Sequence, residues 1–229
     1  MRTLVIGDIH GAIKALTQVL ERADIQPTDH LIFLGDYADG WSQTPEVLDF
    51  LISYQHQQRC LFLRGNHDAL CYDFLQGKNM DTLWRLHGGK ATEKAYQNVT
   101  ETRRQAHLDF LASLQNYYLD AQNRLFLHAG FTNLRGIAYE HFPEMYYWDR
   151  TLWELAQSST LPPTDPHYPN RLKLYTHIYI GHTPTTRLGT DKPLSFNGVT
   201  NVDTGAAFKG RITIMDIDTL QYWQSDPVY

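Results

Sequence analysis

Cysteine is nearly absent: the 229 residues hold two, Cys60 and Cys71, with no Cys-x-x-Cys spacing. That rules against a disulfide framework and a thiolate metal centre, and it suits a reducing compartment, with the cytoplasm as the expectation. No apolar run approaches the ~20 residues of a membrane helix. The N-terminus enters a short strand at Thr3 that meets Asp8, which leaves no apolar region for an export signal. Basic charge is not in excess, with Lys and Arg at 20 against Asp and Glu at 25. Nothing therefore suggests a nucleic-acid-binding face or a membrane partner, although a small anionic partner stays open because a bound cation can supply positive field locally. Internal repeats and low-complexity tracts are also missing. What remains, at 42% hydrophobic and 20% charged residues, is the composition of a folded protein forming one domain over 1–229.

The chain has eleven histidines, and several stand where apolar runs end. Thr3-Leu4-Val5-Ile6 reads as a buried strand that gives way to Gly7-Asp8-Ile9-His10-Gly11. Asp8 and His10 are two apart, so on extended backbone they share a side. Ile13, Leu16, Val19 and Leu20 then follow at helical spacing. Leu31-Ile32-Phe33-Leu34 repeats the event, ending in Gly35-Asp36-Tyr37-Ala38-Asp39-Gly40, and a helical pattern runs from Pro45 to Tyr54. Cys60-Leu61-Phe62-Leu63 repeats it again, ending in Arg64-Gly65-Asn66-His67-Asp68. Strand, helix, strand, helix, strand predicts a parallel sheet, whose carboxyl ends face a ligand crevice.

Residues 68–118 read mostly as a helical insertion broken at Gly77 and Gly88-Gly89, with Trp84 and Tyr96 as packing aromatics. Tyr117–Leu119 and Arg124–Leu127 read as a hairpin, and its second strand ends in His128-Ala129-Gly130. A helix is expected from Asp149 or Thr151 to Gln157, and the proline-rich residues 158–171 as a loop. Ile178-Tyr179-Ile180 ends in Gly181-His182-Thr183-Pro184. Thr200–Asp203, Ile212–Asp216 and Gln221–Trp223 read as antiparallel strands.

Five strand ends thus carry Asp8 and His10, Asp36, Asn66 and His67, His128, and His182. Carboxylate, imidazole and amide oxygen suit a pair of divalent ions of the manganese, iron, zinc or magnesium class. Two such ions about 3.5–4 Å apart need a carboxylate between them; they acidify water and polarise a phosphoryl oxygen.

In this order, Gly-Asp-Ile-His-Gly, Gly-Asp-Tyr-Ala-Asp-Gly, Arg-Gly-Asn-His-Asp, His-Ala-Gly and Gly-His-Thr resemble the calcineurin-like metallophosphoesterases. The match is closest to bacterial members of the phosphoprotein-phosphatase family, diadenosine-tetraphosphatase-like enzymes among them. The resemblance spans residues 7–183, with Val202–Ala206 similar to the late strand and turn. It implies an α/β fold, a four-layer αββα sandwich of mixed sheets with the site at the strand ends between them. It also implies a dimetal phosphatase, with Asp8 and His10 on the first metal, Asp36 bridging, and Asn66, His128 and His182 on the second. Manganese is the expected pair, with iron, zinc or magnesium as other occupants. His67 would be the general acid and Asp39 the group that orients it. Pro184, after Thr183, stands where nuclease-like branches place a further histidine, which favours the phosphatase branch.

One departure stands out. The resemblance calls for an arginine on the substrate phosphate after Asp39, and this chain has Gly40-Trp41. Arg150, in Tyr147-Trp148-Asp149-Arg150, is similar in position to a second phosphate-binding arginine; Arg64 and Lys90 are further candidates. A surface ion pair with Asp149 or Glu154 is the other reading of Arg150. Asp68 is expected to support its turn, and Asp203 either to back His182 or to be an ordinary strand-end carboxylate. His30, His56, His87, His107, His141, His167 and His177 are assigned surface or structural roles. The expected partner is a phosphorylated protein or small phosphomonoester. The alternatives are a dinucleoside polyphosphate or phosphodiester substrate, and a non-catalytic scaffold on the same fold.

Overall fold

A computed structural model describes residues 1–229. Ten strands form two five-stranded sheets. The first sheet runs in the order β10 (Tyr222–Gln224), β9 (Thr213–Asp216), β1 (Thr3–Ile6), β2 (His30–Phe33), β3 (Arg59–Phe62). The second runs β4 (Tyr117–Leu119), β5 (Arg124–Leu127), β6 (His177–Ile180), β8 (Val199–Asn201), β7 (Leu194–Phe196). β1, β2 and β3 are parallel, as are β5, β6 and β8.

The continuous apolar runs arise because the inner strands are buried on both faces. Alternation sorts each run between two layers. Leu4 and Ile6 of β1, with Leu31 and Phe33 of β2, face one core shared with helices α1 (Ile13–Arg22) and α2 (Thr44–Tyr54). Val5 and Ile32 point the other way, where they meet Phe126 of β5 and Tyr179 of β6. Leu125, Leu127, Ile178 and Ile180 then line a third core on the far side of the second sheet. Helix, sheet, sheet, helix is the αββα order that the resemblance implies. At the centre of the seam the rings of Phe126 and Tyr179 lie almost parallel, 5.2 Å apart.

The insertion comprises α3 (Asn66–Leu75), α4 (Thr82–Trp84), α5 (Lys90–Ala95) and α6 (Glu101–Ser113). It packs on the first sheet's core through Cys71, Leu75, Tyr96 and Phe110. Between α4 and α5 the chain turns at Gly88, whose φ of +108° few other residues adopt. A Cβ there would run into the backbone of Gly40. On the outer side of the second sheet lie α7 (Met145–Trp148) and α8 (Thr151–Ser158), with Trp153 buried beneath.

Of the C-terminal strands, β9 and β10 pair antiparallel as expected, and β8 departs from expectation. β8 is parallel to β6 and lies in the second sheet, while β9 and β10 close the edge of the first. β7, unforeseen in the sequence, pairs antiparallel with β8 through the turn at Asn197-Gly198. Short strands of mixed polarity give alternation too little length to fix sheet or direction.

Candidate active site

The carboxyl ends of β1, β2, β3, β5 and β6 open at the same end of the sandwich, and the site straddles the seam. From the first sheet come Asp8, His10, Asp36, Asn66 and His67; from the second, His128 and His182. All but His67 are buried. The backbone is turned tightly to achieve this: His10, Asp36, Asp39 and His182 have φ of 51°, 55°, 66° and 71°. Asp and His tolerate this region better than most residues, but at roughly 1–3 kcal/mol each such strain survives only where the surroundings enforce it. Asp68 does much of that enforcing. Its carboxylate accepts the backbone N–H groups of Asp36, Tyr37, Ala38 and Gly65, which fits its expected role of supporting the turn. Two glycines are required by close approach: a Cβ at Gly65 would strike Asp36, and one at Gly181 would strike Asp8.

Asp36 is the hub. Its Oδ2 is 3.5 Å from His10 Nε2 and 3.4 Å from His128 Nε2, while Oδ1 accepts the His67 N–H at 2.9 Å. Asp8 Oδ2 lies 3.7 Å from His10 Nε2. Asn66 Oδ1 lies 3.2 Å from His128 Nε2 and 2.9 Å from His182 Nδ1. The Leu34 carbonyl is 2.8 Å from His128 Nδ1, a stitch between the two sheets that leaves Nε2 facing Asp36. Two sets of potential ligand atoms result, one from His10, Asp36 and His67 and one from Asp36, His128 and His182, each within 4.8 Å and sharing Asp36. Hard oxygen and imidazole donors around a shared carboxylate, with no thiolate, fit a pair of divalent ions. The electrostatics agree. Burial is the largest influence and would lower the His128 and His67 pKa values, but the surrounding carboxylates together, Asp36 foremost, with Asp8 at His128 and Asp39 at His67, push them up to about 10 and about 9. His182 is held well below the usual range by burial, His128 and Arg150. Its Nε2 is buried without a hydrogen-bond partner.

His67 Nδ1 is 2.8 Å from Asp39 Oδ2. Asp39, fully buried, also accepts from Trp84 Nε1 at 2.7 Å and from Thr92 Oγ1 at 2.6 Å. Trp84 therefore does more than the packing expected of it. Neither it nor Thr92 could be tied to Asp39 from the sequence, because the insertion folds back over a separation that no motif records.

Arg150 is half-buried at the site, and its Nη1 donates to Thr183 Oγ1 at 2.8 Å. The ion pair weighed for it does not form: Asp149 caps α8 through Thr151 and Leu152, and Arg150 has no carboxylate partner. Arg64 is a correction. Its guanidinium lies 3.4 Å from the carbonyls of Leu111 and Leu114 and is not part of the cavity lining. Two free carbonyls at the end of α6 attract it away from the site. Arg187, on the turn after Pro184, does line the cavity and forms no ion pair; a cation so soon after the Gly-His-Thr-Pro end was the available signal. His87, which is exposed, also lines it. Asp203, at the end of β8, faces the cavity with its pKa raised by burial and Asp8, and it accepts from Gly205 N rather than backing His182. The cavity measures about 650 Å³, and Leu83, Leu86, Trp148 and Phe208 stand exposed around it.

An αββα sandwich with carboxylates and imidazoles gathered at its seam defines a hydrolase site of the metal-dependent kind. The calcineurin-like phosphoesterase family model matches residues 1–206, and the chain belongs to that family. It is a hydrolase acting on phosphoester bonds, and the family uses a dinuclear divalent metal site. The chain is 28% identical to a bis(5'-nucleosyl)-tetraphosphatase PrpE [asymmetrical] of Anoxybacillus flavithermus, over 92% of this chain and 88% of that protein. It is 27% identical to serine/threonine-protein phosphatase 1 of Salmonella typhimurium, over 93% and 90%. The solved metallophosphoesterase from Sphaerobacter thermophilus shares the fold with a TM-score of 0.59 at 18% identity, covering all of this chain and 89% of that one. No helix is long and apolar enough to cross a membrane.

Proposed function

We propose that the chain is a dimetal phosphatase of small phosphorylated molecules or phosphoproteins, in which Asp8 and His10 hold one ion, Asn66, His128 and His182 hold the other, and Asp36 bridges. The observation that carries this reading is the single Asp36 oxygen lying within 3.5 Å of imidazole nitrogens from both sheets. When bound, the ions would activate water and polarise the phosphoryl group. Arg150, a guanidinium with no acidic partner, would hold a phosphate oxygen. His67, its Nδ1 occupied by Asp39, would present Nε2 to the leaving oxygen and give it a proton.

Manganese is the first metal to test. A chelator is expected to abolish p-nitrophenyl phosphate hydrolysis, and Mn²⁺ to restore it. Loading the metal-free protein near neutral pH should also release protons. His128, with its pKa at about 10, must lose its proton to act as a ligand, so affinity should climb as pH rises toward that value. Calorimetry in buffers of different ionisation enthalpy reads this directly. Activity that survives chelation, or loading without proton release, would count against the reading.

A second substrate reading has its own support. The exposed Trp148 and Phe208 with Leu83 and Leu86 offer apolar surface to a large leaving group, and Arg187 adds a second cation beyond Arg150. A dinucleoside polyphosphate, the substrate named for the PrpE relative, would use both. On that reading kcat/KM on diadenosine tetraphosphate should exceed that on a phosphopeptide by at least about tenfold, or about 1.4 kcal/mol. The opposite ranking would return the site to phosphoprotein.

A further inference from the structure

We propose that Trp84 and Thr92, carried on the helical insertion, are positioning residues that hold Asp39 against His67. The proposal rests on the reading of His67 as proton donor. Asp39 has no solvent exposure, so its two oxygens depend on protein donors. Oδ2 takes His67 Nδ1–H and Trp84 Nε1–H, and Oδ1 takes Thr92 Oγ1–H. The remaining proton assignments follow by donor accounting. The Asp39 N–H donates to Thr44 Oγ1 at 3.1 Å, and Thr44 Oγ1 lies 3.2 Å from Thr92 Oγ1. Thr92 has committed its only proton to Asp39, so Thr44 must donate to Thr92. The circuit closes on Asp39 and pins both ends of a residue whose φ is +66°.

Trp84 is itself held. Its indole packs on Gly89, where any Cβ would collide with it, and its ring centroid is 5.2 Å from that of Phe74. Gly88 meanwhile lies against Gly40, the residue after Asp39. The segment 84–92 thus touches the Asp39 turn at three places, and Leu83 and Leu86 beside Trp84 stand exposed at the cavity. Without the indole N–H, Oδ2 keeps only His67 as a donor, and the imidazole loses a partner held in place independently of it. An interaction that acts only through proton donation matters in proportion to how badly the leaving group needs the proton.

The test compares Trp84→Phe and Thr92→Val with the parent enzyme in Mn²⁺, on phenyl phosphate and on 2,4-dinitrophenyl phosphate. Each variant should lower kcat on phenyl phosphate by about tenfold, a part of the roughly 10²–10⁴-fold that general acid catalysis contributes, with KM and the rate on the dinitrophenyl ester unchanged. Thr92→Ser should restore the rate. In the metal-free protein, the downfield proton resonance of His67 Nδ1–H should broaden in Trp84→Phe. If Trp84→Phe packs poorly, Thr92→Val, a near-isosteric change, gives the same readout. Equal loss on both esters, or no loss, overturns the proposal. His67→Ala is measured alongside: if it shows the leaving-group dependence and the Trp84 and Thr92 variants do not, only this inference fails. If His67→Ala lacks that dependence, the proton-donor reading falls and takes this inference with it.

Discussion

His67→Ala is expected to retain its metals and to lose roughly 10²–10⁴-fold in kcat on phenyl phosphate, with a much smaller loss on 2,4-dinitrophenyl phosphate. Nδ1 is engaged by Asp39, which orients the ring and favours the charged imidazolium. Nε2 is left for the cavity, where the ring stands 5.0 Å from that of His10. A poor leaving group must depart as the alcohol, so it depends on that proton; a dinitrophenolate can leave without it. Steady-state rates on a series of aryl phosphates, with metal content measured on the same samples, decide the matter. A uniform loss across the series would remove His67 from proton transfer and make it a structural or substrate-binding residue.

Asp36→Asn is expected to cost about 10³-fold or more in kcat, which corresponds to about 4 kcal/mol of transition-state stabilisation. The substitution keeps the side-chain volume and leaves the backbone N–H of Asp36 with its bond to Asp68. What changes is charge. An anionic oxygen lies between His10 and His128, and a neutral amide there cannot offset two cations brought close together. Metal analysis should find fewer than two equivalents bound. A variant that retains both ions and works within tenfold of the parent would mean that Asp36 does not bridge.

The strand ends were legible in the sequence because chemistry and fold meet there in short, local patterns. Apolar runs of three or four residues leading into Gly-Asp, Gly-Asn-His or Gly-His marked β1, β2, β3 and β6, and the structure gathers those ends around Asp36. The two faces of each strand were less visible. Leu4 and Ile6 against Val5 all read as apolar, and only the structure separates them into different layers. Groups that reach the site from distant segments were hidden. Trp84 looked like packing since nothing near it in the chain is chemical, and Thr92 carried no signal of any kind. Arg64 misled for the opposite reason: it is adjacent to a motif in sequence, yet the end of α6 supplies better partners.

Five of the gathered residues ride on one leaf of the sandwich and two on the other, with Phe126 lying flat on Tyr179 as a spacer in the layer between. The gauge of the jaw is therefore set well below its teeth. A slimmer side chain at position 126 would let the leaves settle toward each other and shorten the 3.4 Å approach of Asp36 to His128 across the seam.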